Sequence, residues 1–366
     1  MTIRKERPRP LVPAALRRAS GAAIALGVCA SALAGPVRFE GEGHAYHPVW
    51  SLDGKHVAFE VNRYAGDVDL FVSEVNGAIA KDASKVALPG GSNPFGSGQV
   101  VVNATWHPQG VAVFEGSNQG GQFRLYYVQP GAGAAAEMIS TSQLSGDLTF
   151  PAVSADGATM AFIGDATGNG DIRTRDTNTG SLGQLTTTGY AEMFPQYAPD
   201  GTKLLFTRKR NSTEDVFVLD VASEAETSVA GGGGDQTRPS YAAGGKIVFF
   251  DGARGEGAWD LAVVDAPGGT KTTLARGVRL PLRARPAVSP DGKWVAFAYD
   301  DPTKADKIVL MTVDGSKTVD ITTDFKGCGE PAIGMQGGRV MLAYTALPGS
   351  GSDWRFLYIQ DVTDKL

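Results

Sequence analysis

The chain has 366 residues, with 34 Lys+Arg against 39 Asp+Glu and a formal net charge of −5. That length suits two ordinary domains or one large repeat array, and the acidic balance excludes a general nucleic-acid binder. Its 48 glycines and 20 prolines follow no collagen period, which points to many short strands joined by tight turns.

Residues 1–34 read as a signal peptide. Arg4, Lys5, Arg7, Arg9, Arg17 and Arg18 precede an apolar run from Gly21 to Ala30, followed by Ala32-Leu33-Ala34. Cleavage after Ala34 removes six basic residues and one acidic one, leaving 28 Lys+Arg against 38 Asp+Glu, a net charge of −10. The apolar run is about ten residues, too short to span a bilayer as a helix. A periplasmic or secreted protein without a transmembrane span is therefore expected. A lipid anchor at Cys29, preceded by Leu26-Gly27-Val28, ranks below this because Val28 stands where a small residue is needed. The Arg17-Arg18 pair resembles a twin-arginine signal but lacks the hydrophobic residues that follow such a pair. Removal of the leader leaves Cys328 as the one cysteine, expected as a small buried hydrophobe.

From Pro48 onward one pattern recurs. Pro48-Val-Trp-Ser-Leu-Asp-Gly returns at Pro151, Pro195, Pro239, Pro286 and Pro331, with a further copy at Ala104, so that seven anchors stand 44 to 56 residues apart. This is the period of a propeller blade. Six positions after every anchor stands a glycine: Gly54, Gly110, Gly157, Gly201, Gly245, Gly292 and Gly337. An Asp-Gly pair in this setting predicts a type I′ hairpin turn. Apolar strands such as Val57-Ala-Phe59 and Val295-Ala-Phe297 follow the turn, then a third strand, as at Asp67 or Glu214, and a weaker fourth, as at Gly183 or Thr318. Residues 35–366 thus read as an all-β, seven-bladed β-propeller of four-stranded blades.

Pro286-Ala-Val-Ser-Pro-Asp-Gly-Lys-Trp-Val-Ala-Phe resembles the repeat of TolB-type (WD40-like) propellers, and the propellers of prolyl oligopeptidases are similar. The resemblance covers about 300 residues. TolB proper is six-bladed and carries a small α/β domain ahead of its propeller, whereas no such domain is expected here. The last repeat reaches Leu366 after three strands, so Val37-Arg-Phe-Glu-Gly41 is predicted to supply its outer strand and close the ring.

In a four-stranded blade the regular turns lie on one face and the variable loops gather on the other, where binding residues are expected. Residues just before the anchors then ring the tunnel mouth: His47, Asn103, Phe150, Phe194, Arg238, Arg285 and Glu330. Arg283 and Arg285, with Arg208, Lys209, Arg210, Arg254, Arg276 and Arg279, place positive charge on that face and suit an acidic partner or a carboxylated glycan. A solvated ring, with the arginines paired to Asp251, Asp300 and Asp301, is the plainer alternative.

No cofactor and no metal are expected. The four histidines, His44, His47, His56 and His107, are too few for a zinc or manganese cluster, and Asp165–Asp171 lacks the bidentate Glu of a calcium loop. No Gly-x-Ser-x-Gly elbow and no phosphate-binding Gly-Lys-Ser/Thr loop occur, so an enzyme is not expected. The leading reading is a TolB-like, monomeric interaction scaffold of the cell envelope that binds a protein or peptide. A carbohydrate-active, lyase-like propeller or a module binding a glycan or small molecule is the alternative.

Overall fold

A computed structural model describes residues 35–63, 66–89, 99–118, 121–140, 142–252, 257–300, 307–322, 325–348 and 353–366. The expected leader with Cys29, and the side chains of Arg254 and Asp301, lie outside the described residues.

The described chain is all-β, and its strands form successive antiparallel sheets as in a β-propeller. Repeats three to six are each a four-stranded sheet in chain order, for example Leu148–Val153, Thr159–Gly164, Asp171–Asp176 and Leu182–Gln184. Repeats one and two share a nine-stranded sheet through a parallel pairing of Val68 with Val100. The last repeat has three strands, Lys326–Gln336, Arg339–Leu347 and Phe356–Asp361. Beside the third of these runs the N-terminal segment: the Val37 amide donates to the Leu357 carbonyl at 2.8 Å, and Val37 is buried.

Burial explains why the second strands read as continuous apolar runs. Seven apolar clusters are found among the described residues, and each joins two neighbouring repeats. One of them packs Trp50, Val57 and Phe59 of the first repeat against Met341, Leu357 and Ile359 of the last. The aromatic that ends each run, such as Phe59, Phe114, Phe162 and Phe206, is fully buried. Each such side chain contributes about 2 to 3 kcal/mol of transfer free energy. Polar contacts tie the inner strands in the same cyclic order: Trp106 Nε1 donates to the Val49 carbonyl at 3.0 Å, and Trp50 Nε1 to the Ala332 carbonyl at 3.2 Å. Cys328 is buried in the cluster shared by repeats six and seven.

All seven repeat glycines have positive φ, between 57° and 79°. At the Asp-Gly copies the turn is nevertheless not type I′, because Asp53, Asp156, Asp200 and Asp291 do not share the positive φ, whereas Gly337 and Gly338, between paired Gln336 and Arg339, both do. The Gly54 amide donates to the Ser51 carbonyl at 2.9 Å, the mark of a type I turn with glycine at its left-handed end. The aspartate instead gathers the polar groups of the turn. Asp53 Oδ1 accepts the Ser51 hydroxyl and the Lys55 amide, while Ser51 Oγ accepts the His56 amide. Asp156 with Ser154 and Asp291 with Ser289 repeat this arrangement. A side-chain cap, rather than a second left-handed residue, selects Asp here.

Candidate functional site

Six of the seven positions just before the anchors hold a left-handed backbone: His47, Asn103, Phe150, Phe194, Arg238 and Glu330, with φ between 46° and 54°. In each the inner strand bulges, as between Tyr46 and Val49 or between Met193 and Gln196. A non-glycine residue in this region costs of order 1 kcal/mol, and such strain gathers at functional sites. At three of these positions the amide of that residue reaches the preceding repeat. There the Asn103 amide donates to Glu60 Oε1 at 2.9 Å, the Phe150 amide to Glu115 Oε2 at 2.5 Å, and the Arg238 amide to Thr207 Oγ1 at 3.0 Å.

Glu60, Glu115 and Thr207 are all buried and all follow the aromatic that ends a second strand. Sequence reasoning missed them; a polar residue interrupting an apolar run after Phe59, Phe114 and Phe206 was the available signal. Glu60 also takes His47 Nδ1 at 2.9 Å and Arg283 Nη1 at 3.1 Å. Burial pushes its carboxyl up, but the His47 hydrogen bond and the Arg283 charge hold it below the usual carboxylate range. Glu115 takes Asn103 Nδ2 at 2.8 Å but has no cation of its own among the described residues. Burial, with the Glu60 charge nearby, pushes its pKa up to about 8 despite its two hydrogen bonds. Asn103 thus bridges two buried carboxyls whose pKa values are pushed in opposite directions.

A cavity of about 500 Å³ is lined by inner segments of all seven repeats. His47, Asn103, Phe150 and Phe194 lie at one end, and turn residues such as Leu52, Ala155 and Pro290 at the other. Arg283 and Arg285 also line it. Arg238 and Glu330 do not, and they instead brace the segment that carries those two arginines. Arg238 donates to the carbonyls of Pro281 and Leu282 and lies 5.2 Å over the Phe194 ring, while Glu330 Oε1 accepts the Leu282 amide at 2.9 Å. Phe150 meets Phe194 edge-on at 4.7 Å.

Of the other arginines predicted on this face, two are taken up by carboxylates. Arg208 is buried against Glu192 at 2.8 Å and Glu226 at 2.6 Å, and Arg279 faces Asp300 at 3.8 Å. The histidines are dispersed: His107 Nε2 meets the Gly157 carbonyl at 3.0 Å, and His44 accepts the Arg355 amide. In the loop considered for calcium, Asp165 caps the Asp147 amide and Asp171 is held by Thr167, Gln184 and Thr188. Among the described residues no group of three or more His, Cys, Asp or Glu could hold a metal.

No family model matches the chain. A TolB homologue of Chlorobium luteolum is 29% identical over 144 residues, 38% of this chain and 31% of that protein. An uncharacterized Agrobacterium fabrum protein, Atu1656, is 24% identical over 159 residues, 42% of this chain and 53% of that one. The matches thus span about a third and about half of these relatives' own lengths. The crystal structure of TolB from Acinetobacter baumannii superposes with a TM-score of 0.57 at 21% identity, over 77% of this chain and 67% of that chain. Part of the chain is thus similar in sequence to a TolB homologue, and its fold is similar to the β-propeller of TolB.

The expectation that the chain is no enzyme is overturned as a reading of the fold. An oligogalacturonate lyase in complex with manganese matches at a TM-score of 0.60, with 12% identity, over 87% of this chain and 89% of that chain. A puromycin-hydrolyzing peptidase of Mycobacterium tuberculosis matches at 0.62, with 15% identity, over 88% of this chain and 52% of that chain. Enzymes therefore share this propeller, and the lack of a nucleophile elbow is no ground for excluding catalysis by it.

Proposed function

We propose that the chain is an exported, seven-bladed TolB-like propeller that binds a protein or peptide segment at the end of its cavity ringed by His47, Asn103, Phe150 and Phe194. The observation that carries this reading is the repeated left-handed backbone at that end, built at a cost in strain and braced by carboxyls of neighbouring repeats. A ring of seven is supported by the cyclic order of the apolar clusters, and N-terminal closure by the Val37–Leu357 hydrogen bond. Export to the periplasm or beyond rests on the pattern of residues 1–34, and no described helix is long and apolar enough to cross a membrane.

A photo-crosslinking residue at Leu282, which is 55% exposed beside this end, tests the site. In the native envelope it is expected to give a discrete adduct that the same residue at Lys203, on the turn side, does not. Equal labelling from both positions would reject this end as the binding face.

A further inference from the structure

We propose that the cavity receives the carboxylate of a bound peptide segment on the guanidinium of Arg285, with Arg283 beside it. This rests on the peptide-binding reading above and names the chemical group that reading leaves open.

Three observations carry it. First, among the described residues Arg283 and Arg285 are the only Arg, Lys, Asp or Glu lining the cavity, in a chain of net charge −5. A concave site walled by apolar side chains and holding charge of one sign focuses its field and attracts the opposite charge. Second, Arg285 forms no ion pair among the described residues. One terminal nitrogen donates to the Pro195 carbonyl, and Nε is buried without a hydrogen-bond partner. Burial draws its pKa down to about 10, as for a charge without a compensating neighbour. Arg208, buried away from the cavity, is by contrast held by two glutamates. Third, Arg283 has one carboxylate, Glu60, at 3.1 Å, and its side chain is still 32% exposed, so it keeps donors for a second anion.

A guanidinium recognises a carboxylate through two parallel N–H···O bonds, and such charge-assisted pairs are about twice as strong as neutral ones. The walls favour a peptide over a glycan. They are mainly Pro, Ala, Val and aromatic side chains, Asn103 and Gln196 are the side-chain amides, and four of the lining serines are already committed, Ser51, Ser154 and Ser289 to their turn aspartates and Ser240 to the Pro286 carbonyl, which leaves few partners for a chain of hydroxyls. The carboxylate can belong to an Asp or Glu side chain or to a chain terminus, and the two are distinguished by experiment.

Four pools of fluorescent hexapeptides serve as probes: an internal Asp or Asn with an amidated end, and a neutral sequence with a free or amidated end. Fluorescence anisotropy with the intact protein is read at 50 and 300 mM NaCl. One acidic pool is expected to bind at least tenfold more tightly than its neutral counterpart, with the gap narrowing at high salt. Asp over Asn identifies a side chain, and free over amidated a terminus. Arg285→Gln should remove the gap, and Arg285→Lys should restore only part of it. Equal binding of acidic and neutral pools by the wild type overturns the carboxylate site while leaving peptide binding intact. A gap undiminished in folded Arg285→Gln also overturns it. Failure of every pool to bind rejects both readings. The wild-type comparison needs no variant to fold.

Discussion

Arg283 Nη1 meets Glu60 Oε2 at 3.1 Å although 223 residues separate them, so a loop of the sixth repeat is anchored to the second strand of the first. Glu60 is thereby held by His47, Asn103 and Arg283 together. Glu60→Gln keeps the shape but loses the charge that all three donors face. A loss of about 2 to 3 kcal/mol is expected in urea melts. No loss would mean that the pair is not made in solution.

Charge reversal at Arg238, Arg283 and Arg285 is expected to lower stability by several kcal/mol, about 2 or more per buried partner left unmatched. Read from sequence these arginines look like exposed charges whose reversal costs little. They are instead bonded to Pro281, Leu282, Pro195 and Glu60. Reversals at Lys55 and Lys203, both exposed at the turns, should change stability by less than about 0.5 kcal/mol. Equal melts for the two sets would remove the distinction.

Stability should fall as pH rises from about 5 to about 9, in part because of Glu115. Its folded pKa of about 8 lies above its unfolded value, so the native state holds the extra proton in that window. The contribution is fully present below the unfolded pKa and is lost as pH passes the folded one. Glu60, shifted the other way, acts only at lower pH. Glu115→Gln should flatten the slope of melting temperature between pH 5 and 9. An unchanged slope would show that Glu115 ionises normally.

Gly201 and Gly292 share a φ near 72° but not their surroundings. A Cβ on Gly201 meets nothing within 4 Å, whereas one on Gly292 would stand 2.4 Å from the Ala243 amide nitrogen. Gly201→Ala is expected to cost about 1 kcal/mol for backbone conformation alone. Gly292→Ala should cost about 1 to 3 kcal/mol more. Similar denaturant midpoints for the two would refute the close approach between repeats five and six.

Removal of residues 37–41 should destabilise the protein, because Phe39 packs its ring on Phe59, Phe71 and Phe356 within 6.0 Å. Phe39→Ala alone should cost about 1 to 2 kcal/mol for its half-buried ring. A melting temperature unchanged by the deletion would count against N-terminal closure.

The sequence by itself determined the repeat and its seven glycines, because these follow from short-range chemistry. A turn needs a left-handed glycine, and a strand-ending phenylalanine needs a neighbouring sheet to cover it. The tertiary structure decided the rest. The Asp of Asp-Gly caps amides instead of adopting positive φ, since Ser51, Ser154 and Ser289 stand two positions before it and complete the bonds. Arg285, alone among the residues before the anchors, lacks the left-handed backbone, since the inner strand of its repeat is reduced to Ala287–Val288. Glu60 and Glu115 are legible as charges but not as neighbours bridged by Asn103, and a buried charge is stable only where distant repeats deliver its partners. Which arginines face the cavity and which are paired inside the sheets was set the same way. A cation pairs with whatever carboxylate the fold brings within about 4 Å, and that distance is not written in sequence spacing.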